Sequence, residues 1–80
     1  MQKFYFDHIE NGNVLTDQDG SEFPGIAEAS MEARLSLGEE ARTFLSRGKS
    51  GRLAVVVRDE HGAILEHSAV IEQKILARTP

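Results

Sequence analysis

Through the middle of the chain, Ile26, Ala29, Ala33, Leu37, Ala41 and Phe44 follow one another at intervals of three or four residues. That spacing specifies one continuous helix with one buried face. Glu28, Glu32, Glu39, Arg42 and Ser46 fall largely off the stripe, so the opposite face meets water. Pro24 near the first turn lacks an amide hydrogen that would otherwise need capping, Glu28 suits the positive helix end, and Ser21 is a possible cap. The helix is expected to end near Arg47-Gly48, where Gly48 can take the left-handed conformation and Arg42 and Arg47 suit the negative end. Gly38 interrupts the stripe and permits close approach by a strand or a mild bend. Met31 and Leu35, beside the stripe, could cover sheet residues or contact a second subunit.

Strand signals flank this helix. Lys3 to Ile9 is dense in aromatics; when extended, Phe4, Phe6 and His8 share one face, and Lys3, Tyr5, Asp7 and Ile9 the other. Glu10-Asn11-Gly12-Asn13 reads as a tight hairpin, with Val14-Leu15-Thr16 returning as a short strand. Asp17 to Gly25, with two glycines and a proline, reads as a loop that launches the helix. After the helix, Arg52 to Asp59 contains three consecutive valines and predicts a central strand covered on both faces. Glu60-His61-Gly62 is a hairpin connection and Ala63 to Ile71 the returning strand. Glu72 to Ala77 could prolong that strand or form a short helix.

The expected fold is therefore α+β, a small two-layer domain in the order β-β-α-β-β, with the helix packed on an antiparallel or mixed sheet. Residues 1–80 form a single domain, with 77–80 frayed. Eighty residues leave little interior for a roomy cavity. Without cysteine there is no disulfide, thiolate metal site or thiol nucleophile. Nine Lys plus Arg against thirteen Asp plus Glu give a net charge of −4, which disfavours a general nucleic-acid scaffold. No signal-peptide pattern opens the chain, and the longest apolar run, Leu53 to Val57, is far short of a membrane span. The expected location is cytoplasmic.

No reactive constellation emerges. Asp17, Asp19, Ser21 and Glu22 offer oxygen ligands, but a calcium loop counted from Asp17 would need glycine at its sixth position, and Gly20 is its fourth. His8, His61 and His67 could bind zinc with Asp7, Asp59 or Glu66 only if distant strands pair in the right register. Glu66 and His67, adjacent on a strand, point to opposite faces. The triplet Gly48-Lys49-Ser50 follows a helix and precedes a strand, the reverse of a nucleotide-binding loop. No catalytic residue, metal or cofactor is expected.

The motif order resembles an uncharacterised family of short bacterial proteins common in rhizobial-type alphaproteobacteria. The resemblance rests on Phe4-Tyr5-Phe6, on Asp17 and Gly20 followed by Glu22-Phe23-Pro24, on Ala29 and Ala33, and on Val57-Arg58-Asp59-Glu60-His61-Gly62. It departs near the end, where members place an aromatic after the last strand's aliphatics and this chain has Ala69-Val70-Ile71. The resemblance implies a similar small fold and supplies no activity.

Sequence reasoning points to a noncatalytic domain that self-associates as a homodimer or binds a small protein partner. The expected surface is the uncovered sheet face, with Tyr5, Ile9, Val56, Leu65 and Val70. The alternative is a nucleic-acid-binding or antitoxin-like regulatory module in which Arg42, Arg47, Lys49 and Arg52 contact phosphates.

Overall fold

A computed structural model describes residues 1–78. The order is β1 (Gln2–Glu10), β2 (Asn13–Leu15), β3 (Ser21–Phe23), α1 (Ile26–Ser46), β4 (Gly51–Asp59) and β5 (Gly62–Ile71). The α+β class holds, with one strand more than the sequence pattern implied. Ser21-Glu22-Phe23, expected within a loop, pairs with Phe4-Lys3-Gln2 of β1. Three residues are too few to display a period of two, so this strand left no pattern to read.

All pairings are antiparallel, and the sheet runs β2-β1-β4-β5 with β3 on β1. β2 pairs with His8 to Glu10 and β3 with Gln2 to Phe4, so the two short strands divide one edge of β1. β4 is central, as its continuous apolarity required: Leu53, Ala54, Val55 and Val57 are all buried. The helix lies over β4 and β5.

Register assigns the faces. Val57 stands between Phe6 and Leu65, Val55 between His8 and His67, and Leu53 between Glu10 and Ala69. These rows face the helix, where Ala29, Ala33, Leu37 and Phe44 join Phe4, Leu53, Val55 and Val57 in the core. Phe23 closes one end, its ring 6.4 Å from Phe4 and 5.6 Å from Phe6. The alanines admit the helix close to the sheet, and the aromatics fill the wider ends.

The helix begins after Gly25, with no side-chain cap. Ser21 is therefore not the cap, and Pro24 lies before the helix. The helix ends as expected: Gly48 has φ +68, its N–H donates to Leu45 O, and Lys49 N–H donates to Phe44 O. Gly38 is exposed, and a Cβ there would meet nothing within 4 Å, so no strand approaches it. Met31 and Leu35 are 54% and 58% exposed and do not cover the sheet. Glu72 to Arg78 neither extends β5 nor forms a helix. Of the segment expected to fray, Thr79 and Pro80 lie outside the described residues.

Candidate functional site

Expected interaction residues divide between the two sheet faces. Tyr5, Ile9, Val56 and Val70 occupy the helix-free face, but Leu65 stands opposite Val57 and packs against the core beneath the helix. Five residues separate Leu65 from Val70, so strand alternation alone sets them on opposite faces; the register shift between Val57 and Arg58, which leaves Ile64 without a partner on β4, lies before both.

The middle of the helix-free face is already roofed. Arg58 Cζ lies 4.4 Å from the centre of the Tyr5 ring, its Nε donates to Asp7 Oδ2 at 2.7 Å, and its Nη2 donates to the Asp17 carbonyl at 2.6 Å. The hydrogen bond to Asp7, foremost, raises the Arg58 pKa against the opposing effect of desolvation. Arg52 and Glu66 form a second ion pair on this face. Tyr5, Ile9 and Val56 are consequently only partly exposed, whereas Val70 at the β5 margin is 67% exposed.

Asp17 ties the opposite edge. Between β2 and β3, β1 passes a gap in which Phe6 has no strand partner on that edge, and Asp17 Oδ2 accepts the Phe6 N–H at 3.1 Å. Asp17 Oδ1 accepts the N–H groups of Asp19 and Gly20, and Asp17 N–H donates to Asp7 Oδ1. One carboxylate thus replaces a missing strand. These donors, the Gly20 N–H foremost, with Arg58 adding a weaker attraction, hold the Asp17 pKa below its ordinary value against the opposing effect of burial. Both carboxylate oxygens of Asp17 are committed to backbone N–H groups. Among the described residues no group of three or more His, Asp or Glu is placed to hold a metal.

Among the described residues, the outer edge of β5 is bare. Arg52 N–H and C=O both bond Asn11, so they face away from β5. Its register partner Val70 therefore directs its own N–H and C=O away from β4, and alternation extends this to Ser68 and Glu66. Leu65, His67 and Ala69 bond inward. Sequence reasoning missed this edge because backbone direction depends on register, although a strand ending the sheet order always has one.

The histidines do not converge. His8 and His67 flank Val55 on different strands; His8 pairs with Glu40, while His67 Nε2 lies 2.9 Å from Ser30 Oγ. Arg34 donates to the same hydroxyl at 3.1 Å. A serine beside a histidine is half of a nucleophile–base pair, but catalysis also needs a group to orient the base. Among the described residues, the ion pairs involving histidine are His8 with Glu40 and His61 with Glu60. An open groove of about 520 Å³ beside His8, Leu15 and Phe23 has an acidic rim at Asp17, Asp19 and Glu32.

Of the four candidate phosphate contacts, Arg47 and Lys49 line one groove, while Arg52 lies on the helix-free sheet face and Arg42 on the helix. Arg52 pairs with Glu66 on the sheet, and Lys49 pairs with Glu10 at 3.1 Å while resting on the Phe44 ring. Arg47 shares a groove with Glu10, Glu39 and Glu40, and Arg42 is exposed on the helix. Carboxylates accompany Arg47, Lys49 and Arg52. Among the described residues, no helix is long and apolar enough to cross a membrane.

Positions that carried the family resemblance meet in space. Gly20 has φ +72, and a Cβ there would lie 2.8 Å from Tyr5 Cε2; Tyr5 supports Arg58, and Arg58 reaches Asp17. No curated protein and no solved structure matches the chain. Residues 3–70 match the family described as Domain of unknown function (DUF6894), and the chain belongs to that family.

Proposed function

We propose that this is a noncatalytic cytoplasmic domain that self-associates through the β5 side of its sheet. The observation that carries the reading is the edge itself: ten residues long, with neither lysine nor proline, and with outward backbone groups at Glu66, Ser68 and Val70. Proteins that keep such an edge single usually blunt it with those residues, with short strands or with bulges, and the irregularity of β5 lies at Ile64, before its outward groups. Charge supports a second copy as the occupant. On the helix-free face Lys3 stands opposite Glu22, Asp7 pairs with Arg58, and Arg52 pairs with Glu66, so the strands there have no charge surplus in a chain of net charge −4. Copies pairing along β5 join these charge-balanced faces into one continuous surface. The dispersed histidines support a noncatalytic role.

Light scattering with measured mass across the micromolar range tests the reading. The wild type is expected to pass from monomer to dimer. Ser68→Pro removes an outward N–H and no ladder bond of the single chain, a position edge strands tolerate, so it should retain the circular dichroism spectrum and remain monomeric. A wild-type chain that stays monomeric throughout overturns the proposal.

A further inference from the structure

Building on that self-association, we propose that the partner strand is β5 of a second copy, joined antiparallel about a two-fold axis at Ser68, and that the Arg52–Glu66 contact is exchanged between copies. Only Glu66, Ser68 and Val70 direct their backbone groups outward along the regular part of β5, and these must form the new ladder. Centring on Ser68 pairs Ser68 with itself and Glu66 with Val70 of the other copy, using every outward group for about six N–H···O bonds. Centring on Glu66 would set two carboxylates directly opposite, and centring on Val70 would leave Glu66 beyond the paired segment. An axis at His67 drives Val70 onto the irregular stretch at Ile64, where the register shifts.

Charge geometry selects the same register. Within one chain Arg52 stands opposite Val70, and Glu66 lies four residues back along β5, about 13 Å by strand rise. Across the proposed seam Glu66 faces Val70 of the other copy, whose Arg52 is one further strand away, about 10 Å from backbone to backbone. Both side chains span that distance more directly than the diagonal within one chain. Exchange therefore replaces each internal pair without leaving a charge uncompensated. The chain beyond Ile71 then runs toward the other copy's β4–β5 turn, bringing Ile75 and Leu76, 79% and 90% exposed in one chain, alongside a second surface.

A charge-swap mixture provides the test. Arg52→Glu alone should set two carboxylates against each other across the seam, and Glu66→Arg alone should set two guanidinium groups against each other there. Each is expected to weaken homodimerisation at least about tenfold. Mixed in equal amounts, the variants place opposite charges at both trans positions and should form a heterodimer of near wild-type affinity, although each chain still carries like charges internally. A mixture as weak as its components overturns the exchange, as does undiminished homodimerisation of either variant. Amide hydrogen exchange supplies a readout on the unmodified chain: Glu66, Ser68 and Val70 should gain protection as concentration rises, while Leu65, His67 and Ala69 are protected throughout. A dimer lacking that concentration dependence overturns β5 pairing but leaves self-association standing; a monomer at every concentration overturns both.

Discussion

The two edges of this sheet solve the same backbone problem in opposite ways. At the β1 edge, two three-residue strands leave a gap, and Asp17 fills it by accepting the Phe6 N–H while Arg58 and Gly20 hold the loop in place. At the β5 edge, a strand of ten residues turns its outer groups to water, with none of the described strands laid along them. A closed edge needs particular residues, because each donor must meet an acceptor at a fixed distance. An open edge needs only to remain extended. Asp17, Gly20, Tyr5 and Arg58, all among the positions of the family resemblance, therefore define how the fold closes and leave the binding chemistry unspecified.

The contrast breaks most severely if Gly20 tolerates a side chain. Gly20→Ala imposes a left-handed backbone on alanine and drives its Cβ toward Tyr5 Cε2 and the Phe4 carbonyl. The expected loss is about 2–3 kcal/mol, read by urea denaturation. Asp17→Ala should follow at about 2 kcal/mol, since three backbone donors lose their acceptor and part of that loss is recovered by water. Acid tests the same group without truncating it. Because the folded state holds the Asp17 pKa below its unfolded value, the group's contribution is complete above the unfolded pKa near 3.8 and disappears as pH falls through the depressed folded value. The stability difference between wild type and Asp17→Ala should therefore be constant near neutrality and shrink below about pH 4. A difference that grows in acid would reverse the assignment.

How much of this was legible in sequence depends on the length over which each signal repeats. The stripe from Ile26 to Phe44 spans five turns and located the helix; the valines of β4 located the central strand. The Asn11-Gly12 turn was equally readable, with φ +48 and +84 as a tight hairpin requires. β3 was not, because three residues carry no period, whereas the face of Leu65 was: five residues separate it from Val70, an odd interval that sets the two on opposite faces, and apolarity alone had grouped them. The Asp17 network joins residues far apart in sequence through backbone amides, which no side-chain pattern announces. Gly38 shows the converse error: a helix glycine suggests close packing, yet this one faces open space. Gly38→Ala should accordingly raise stability by about 0.5–1 kcal/mol, in opposite sense to Gly20→Ala, in the same denaturation measurement.

The smallest expected effect is the most discriminating for the open edge. Val70 is β-branched, so Val70→Thr preserves strand preference and side-chain shape while replacing a methyl group with a hydroxyl. A buried valine would lose the transfer energy of that methyl and strand the hydroxyl without a partner, at more than about 1 kcal/mol. Val70 is two-thirds exposed in one chain, so in dilute solution the change should stay within about 0.5 kcal/mol. A larger loss at concentrations where the chain is monomeric would mean that some other part of the molecule covers this margin. The face beside the proposed seam would then already be occupied within one chain, leaving no room there for the exchanged Arg52–Glu66 contact.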